Sequence, residues 1–332
     1  MYDFIAIGDT VTDDFIDITD ARIDTDQDRG DQGRSELCLR FGDKVPYRSS
    51  VVVPAVGNAA NAAVSATRLG LSTAFVTDIG SDMRGDIQRD ALQKNGVECR
   101  WVESHEGMES NYHYVLRHGV ERTILVKHQA YPYQLPADLE EAKWIYFSSV
   151  GEHGLAYHHE IAAYLRAHPN TQLAFQPGTF QISLGADAIA DVYKEIDIFF
   201  CNKEEAALIL KRDTPDIKAL VAGLHALGPK IVAITDGPDG AYTSDGASVW
   251  FTPMYPDPAP PVDRTGAGDS FASAFTAALA LGKSVPEALA WGPVNSMSVV
   301  QKIGAQEGLL TREGLEKLLN DAPNDYTVAK IA

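Results

Sequence analysis

Short apolar runs recur along this chain, and each is followed within three residues by Gly, Asp or Asn. They are Phe4–Ile7, Thr73–Val76, Trp144–Ser148, Leu173–Phe175, Ile196–Cys201 and Lys230–Ile234. A run with no polar alternation suits a strand covered on both faces, as in a parallel sheet. Stretches with helical patterning lie between the runs: Asn58–Arg68, Met83–Asn95, Tyr157–Ala167, Lys203–Leu210, Ile217–Leu227, Ser270–Leu281, Pro286–Gln301 and Thr311–Leu319. Strand alternating with helix predicts an α/β fold, a doubly wound and mostly parallel sheet flanked by helices, with ligands at the carboxyl ends of the strands. At 332 residues the chain is long enough for one large core of this kind. We expect a single α/β domain over 1–332.

Two regions break the rhythm. Asp17–Arg34 is rich in Asp, Arg, Gly and Gln and reads as an exposed acidic insertion, a solvated loop rather than a cation site. Residues 37–53 and 110–127 show period-2 alternation and β-branched residues without helices between them, as at Tyr112, Tyr114, Leu116, Thr123 and Leu125. They predict antiparallel strands of a small β-sheet, set over the main sheet as a lid. Exposed edges of such a sheet could also pair two copies into a homodimer.

Charge narrows the partners. A formal charge of −18 repels nucleic-acid backbones and anionic membranes, so neither is expected as a partner. No apolar run approaches the roughly 20 residues that span a bilayer. The N-terminus lacks the basic region and cleavage site of a signal peptide. Cys38, Cys99 and Cys201 are scattered and odd in number, which reads as buried free thiols in a reducing, cytoplasmic setting. A nucleotide substrate would then need a local anion site to overcome the global repulsion.

Such a site is legible at Asp263-Arg264-Thr265-Gly266-Ala267-Gly268-Asp269-Ser270-Phe271, where a Pro-rich loop meets an amphipathic helix. A Gly-Ala-Gly turn at a helix start exposes backbone N–H groups, and the helix dipole adds partial positive charge. Negative charge on a transferring phosphoryl group would be stabilised there. Asp269, at the same helix start, is expected to stay ionised and to accept a proton from an attacking hydroxyl.

This segment resembles the C-terminal D-T-x-G-A-G-D-x-F signature of the ribokinase-like (PfkB) carbohydrate and nucleoside kinases, with Arg264 where Thr is common. The resemblance implies that Asp269 is the catalytic base and that Gly266, Ala267 and Gly268 form the anion hole. Other pieces follow in the family's order over most of the chain. Gly8-Asp9-Thr10-Val11-Thr12-Asp13 looks like the first strand's Gly-x-x-x-x-Asp, which makes Asp13, beside Asp9 and Asp14, the acid that binds two substrate hydroxyls. Val56-Gly57-Asn58-Ala59-Ala60-Asn61 resembles the G-G-x-x-x-N signature, with Val56 for the first glycine, and implies substrate contacts at Gly57 and Asn61.

Asn202-Lys203-Glu204-Glu205 matches N-x-x-E, which implies Asn202 near the nucleotide phosphates and Glu205 as the Mg2+ acid. Thr235-Asp236-Gly237-Pro238-Asp239-Gly240 looks like the strand turn that meets the nucleotide, through Thr235, Gly237 and Gly240. Gln301–Ala305 resembles the closing G-A stretch, which with Asp263 and Thr265 implies a monovalent cation such as K+. The 110–127 hairpin resembles the lid of the sugar-kinase branch and carries Arg122.

The implied activity is ATP-dependent, Mg2+-assisted phosphorylation of a primary hydroxyl on a sugar, by direct in-line transfer. A nucleoside kinase of the same family, or a catalytically silent ligand-binding regulator on the same fold, are the alternatives. No G-x-x-x-x-G-K-[ST] is present, and no G-x-G-x-x-G follows the first strand, so neither a P-loop enzyme nor a nicotinamide dehydrogenase is expected.

Overall fold

The computed structural model describes residues 1–24, 35–119, 121–212 and 216–332. The chain opens with β1 (Tyr2–Ile7), β2 (Val11–Ile18), β3 (Arg22–Asp24), β4 (Glu36–Cys38), β5 (Tyr47–Val56) and α1 (Asn58–Arg68). Next come β6 (Thr73–Gly80), α2 (Met83–Lys94), β7 (Val102–His105), β8 (Tyr112–His118), β9 (Glu121–Leu125) and β10 (Ala142–Phe147). The middle holds α3 (Leu155–Ala167), β11 (Gln172–Phe175), α4 (Thr179–Leu184), α5 (Ala190–Tyr193), β12 (Ile198–Asn202), α6 (Lys203–Leu210), α7 (Ile217–Leu227) and β13 (Ile231–Thr235). The last elements are β14 (Ala241–Ser244), β15 (Val249–Thr252), α8 (Ala267–Ala280), α9 (Val285–Val300), α10 (Arg312–Asn320) and β16 (Ala329–Lys330).

Ten strands form one sheet in the order β16-β15-β14-β13-β12-β11-β10-β1-β6-β7. From β13 to β7 every neighbour is parallel, and β14, β15 and β16 close the other edge antiparallel. The central strands are buried on both faces, as their unbroken apolar runs demand. Phe4 and Ala6 of β1 and Trp144 and Tyr146 of β10 join one core layer, which includes α1, α8 and α9. Ile5, Ile7, Ile145 and Phe147 point the other way, into the layer built with α3, α6 and α7. Alanines dominate the contact between α1 and α8, so these two helices approach closely behind the carboxyl ends of the strands.

The second sheet has the order β5-β2-β8-β9. Here the sequence expectation needs correction. Val11–Ile18, whose acids at 13, 14 and 17 obscure its alternation, is an inner strand of this sheet, beside the expected 37–53 and 110–127 strands. It pairs antiparallel with β5 and parallel with β8, so only part of the sheet is antiparallel. The acidic insertion is also more structured at its start than a loop: Asp17 and Ile18 end β2, and Arg22–Asp24 pairs with Glu36–Cys38 as a two-stranded ribbon. Its remainder, 25–34, lies outside the described residues.

Among the described residues no helix is long and apolar enough to cross a membrane. The cysteines are free; Cys99 and Cys201 are buried, whereas Cys38 is only half-buried. Burial pushes the Cys99 thiol up to about 11 and the Cys201 thiol well above its ordinary value.

Candidate active site

The carboxyl ends of β11, β12 and β13 meet the N-terminus of α8, where Gln176, Asn202 and Thr235 share a cavity wall with Gly268. Gly266 caps that helix in the left-handed region, at φ 79°. A Cβ there would lie 2.4 Å from Ala305 Cβ, so both backbone conformation and packing require glycine. The loop is braced from the side by Asp263, which is buried. Its Oδ1 accepts from the Thr265 amide at 3.0 Å and the Thr265 hydroxyl at 2.8 Å, and its Oδ2 from the Gly304 amide at 2.9 Å.

Of the predicted anion-hole residues, Ala267 gives its amide to Arg264 O at a long 3.4 Å. The amides of Gly268 and Asp269 donate to no protein group among the described residues. They are open helix-start donors beside the cavity that Gly268 lines.

Asp269 stands in the first turn of α8 with an amide on each carboxylate oxygen. Asn61 Nδ2 donates to Oδ2 at 2.8 Å, and Gln176 Nε2 donates to Oδ1 at 3.0 Å. Both amides are fixed from behind: Asn61 Oδ1 accepts from Gln306 Nε2 at 3.0 Å, and Gln176 Oε1 accepts from the Tyr146 hydroxyl. Burial pushes the Asp269 carboxyl above its ordinary range and the charge of Asp13 adds to this, while the Asn61 and Gln176 bonds pull the other way. Desolvation thus acts on this acid against the helix-start effect that favours its ionised form.

Asn61 enters through α1, whose start is set by Gly57 at φ 107°. A Cβ on Gly57 would lie 3.0 Å from Asp9 O, so the glycine lets α1 approach the turn after β1. Val56, in place of a glycine, takes an ordinary backbone. The unusual positive φ falls one residue earlier, at Ala55, with 55°. Both polar ends of Asn61 are engaged by the protein, and through Nδ2 it supports Asp269.

Asp13 lies on β2 and is 7% exposed. Its Oδ1 is buried with no hydrogen-bond partner, although His113 Nδ1 stands 3.2 Å away in poor alignment.

Asn202 and Glu205 form a capping box at the start of α6. The Asn202 side chain accepts from the Glu205 amide and Glu205 Oε2 accepts from the Asn202 amide, both at 2.8 Å. Burial raises the Glu205 carboxyl; the Asn202 bond opposes this, and Asp269 and Glu204 reinforce it. Glu204 is exposed, as expected for the less constrained of the two acids.

Two adjoining cavities occupy the cleft. The polar one, about 440 Å3, is lined by Gln176, Asn202, Glu205, Thr235 and Gly268 among others. The second, about 370 Å3, is mostly apolar and includes Met254, Pro293, Met297 and Val300. Thr235, Gly237, Gly268 and Phe271 line both, and Gly240 lines the apolar one.

The structure thus brings Ala267, Gly268, Asn202, Glu205, Thr235, Gly237 and Gly240 to the walls of these two cavities, and Asp269, held by Asn61, is joined to them through Gln176. Arg122 sits on the exposed edge strand β9, where it pairs in register with Arg117. Sequence reading missed Gln176, Gln306 and Lys203, whose Nζ donates to Asp236 Oδ2 at 2.6 Å beside the polar cavity. Gln176 and Lys203 carried a signal, since each directly follows a parallel strand.

The chain is 30% identical to the ribokinase of Bacillus subtilis over 289 residues, covering 85% of this chain and 92% of that one. It is 27% identical to the fructoselysine 6-kinase of Shigella flexneri, covering 75% and 90%. Arabidopsis thaliana ribokinase, solved with ribose and ATP, superposes with a TM-score of 0.78 over 95% of this chain and 98% of that one, at 21% identity, which shows the common fold. The family model described as pfkB family carbohydrate kinase matches residues 26–312, and the chain belongs to that family of kinases.

Proposed function

We propose that this chain is an ATP-dependent sugar kinase that transfers the γ-phosphoryl group directly to a primary hydroxyl, with Asp269 as the base. The observation that carries the reading is an amide-held carboxylate in the same helix turn as open N–H groups, where Gly268 lines both a polar and an apolar cavity. The apolar cavity suits a nucleobase and the polar one a phosphate chain. Gly268 and Asp269 amides stabilise the charge that develops on the transferring group. Asp13, whose buried oxygen lacks a donor, accepts from acceptor hydroxyls. Asp269 takes the proton of the attacking hydroxyl as the O–P bond forms.

Glu205 and Asp269 are neighbouring acids that burial disfavours as anions, a donor set that suits a divalent cation arriving with the nucleotide. When bound, Mg2+ would neutralise phosphate charge, and Glu205 would hold it. A monovalent cation finds less support. Asp263 already accepts three donors and serves as a brace between loops. The whole chain would work as one kinase domain, with the smaller sheet as its lid. Free thiols favour a reducing cytoplasm. The outer face of the smaller sheet, with exposed Val52, Tyr114 and Leu125, favours pairing of two copies through the lid.

A second reading is a nucleoside acceptor. Phe180 packs against His128, with ring centroids 5.6 Å apart, and His128 in turn stands 3.1 Å from His113, the neighbour of Asp13.

ATP consumption across a panel of sugars and nucleosides separates the two readings. Asp269→Asn should lower kcat by at least about a thousandfold with ATP affinity nearly unchanged. A variant with near-normal kcat would remove Asp269 from its role.

A further inference from the structure

The polar cavity beside α8 is poor in positive charge. Its walls carry the carboxylates of Glu204, Glu205 and Asp236, and Lys203 is the cation among them. Arg264 lines the apolar cavity instead. A phosphate chain that enters a protein of net charge −18 therefore meets this ammonium against a surplus of acids.

Lys203 stands where the helix gains nothing from it. It is the first residue of α6, directly after the cap Asn202. A cation there works against the helix dipole, whereas Glu204 and Glu205, which follow it, work with the dipole. The Lys203 side chain is 33% exposed and lines the cavity.

Its aim is nevertheless fixed. Nζ donates to Asp236 Oδ2 at 2.6 Å. The two residues leave neighbouring parallel strands at the same level, since Asn202 of β12 lies opposite Thr235 of β13. Asp236 is held in turn: its amide donates to Gly240 O at 2.8 Å, and its carbonyl accepts from the Asp239 amide at 3.0 Å. A lysine stem is flexible, and an ion pair to a held carboxylate restricts it. The same bond raises the Lys203 amine above its ordinary value, so the group stays charged. An ammonium has three N–H donors, and Asp236 takes one. Nζ donates to no other protein group among the described residues, which leaves two donors for oxygens that arrive in the cavity.

We propose that Lys203 is a ligand of the distal phosphates of the nucleotide, and that Asp236 is the positioning residue that holds its ammonium ready. The proposal rests on the polar cavity as the phosphate site. The apolar cavity takes the base, and Lys203 lines the polar one alone, so it serves the far part of the phosphate chain. Asp236 keeps one N–H, and phosphate oxygens accept from the other two. Positive charge then reaches the phosphates from the β12 side, while the Gly268 and Asp269 amides act from α8. Lys203 binds the phosphates before and during transfer alike, so its loss falls on KM for ATP and much less on kcat.

Kinetics and calorimetry on the full chain test this. Lys203→Met should raise KM for ATP about tenfold and change kcat less than about threefold. Lys203→Arg keeps the charge and should stay within about threefold of the unmodified protein. Affinity for AMP, which lacks the distal phosphates, should change less than about twofold in Lys203→Met. The denaturation midpoint should barely move, because a partly exposed ion pair contributes little, so a weaker KM reads as a lost ligand.

The rival role is neutralisation of Asp236 alone, whose bare charge would repel ATP in Lys203→Met. Adding Asp236→Asn removes that charge, and the double variant should still show a KM at least about fivefold above that of the unmodified protein. A double variant with KM restored would overturn the ligand role. So would an unchanged KM in Lys203→Met, an Arg variant no better than Met, or equal losses of AMP and ATP affinity. Failure of the kinase reading is distinct, because the unmodified protein would then consume no ATP with any acceptor of the panel.

Discussion

Asp269 and Asp13 are neighbouring acids that feel each other's charge, yet the protein holds them in opposite ways. Asp269 stands on a helix between two core-backed amides, one on each oxygen. Asp13 stands on a strand of the smaller sheet with a buried oxygen that nothing satisfies. A base must be aimed before the acceptor arrives, so its hydrogen bonds come from the protein. A ligand-binding acid is better left short of donors, because acceptor hydroxyls then complete its shell. The elements that carry them, α8 and β2, are both largely buried, so the difference lies in the hydrogen bonds and not in the exposure of the element.

This comparison can be broken by attacking each side in turn. The largest effect should come from the rigid side. Gly266→Ala forces a positive φ on alanine and drives a Cβ into Ala305, and should cost about 2–4 kcal/mol of stability in chemical denaturation. An unchanged midpoint would mean that the loop is not braced as described.

Next comes Asp13→Asn, which weakens hydrogen bonds from the acceptor. KM should rise roughly thirtyfold with kcat much less affected, as steady-state kinetics would show. If kcat falls instead, the two acids do not divide the work in this way.

Asn61→Leu sharpens the picture further. It removes one donor from Asp269 while burial remains, so the carboxyl is pushed higher still. A base works only when ionised, so the acid limb of the kcat profile should move to higher pH. In the unmodified protein that limb should already lie above an ordinary aspartate's. At neutral pH kcat should drop about tenfold.

The smallest effects separate the paired acids of α6. Glu205→Gln should raise the Mg2+ concentration needed for half-maximal rate by about tenfold, whereas exposed Glu204→Gln should change it less than about twofold. Equal responses would remove Glu205 from the cation site.

Much of the fold was readable because it depends on local pattern. The bounds expected for α1, α6 and α7 coincide with those observed, since periodic apolar residues and a clear stop, as at Gly228, define them. α8 begins three residues earlier than expected, because Ala267, Gly268 and Asp269 form its first turn. The strand β2 was hidden because Asp13, Asp14 and Asp17 interrupt its alternation. Those acids are tolerated only because strands on both sides and the cleft accommodate them.

The order of motifs, the open glycine turn and the acid at the helix start were determined by sequence alone, since each is a short-range matter of backbone freedom and charge. Tertiary structure alone decided which side chains support them. Gln176 and Asn61 reach Asp269 from 93 and 208 residues away, and His128 meets Asp9 from 119 residues away. No spacing rule encodes such meetings, because they depend on strand order and helix packing. For the same reason the sign of the Asp269 shift became visible only in the fold: desolvation is a property of everything that surrounds a group, and the residue's own neighbours in sequence do not report it.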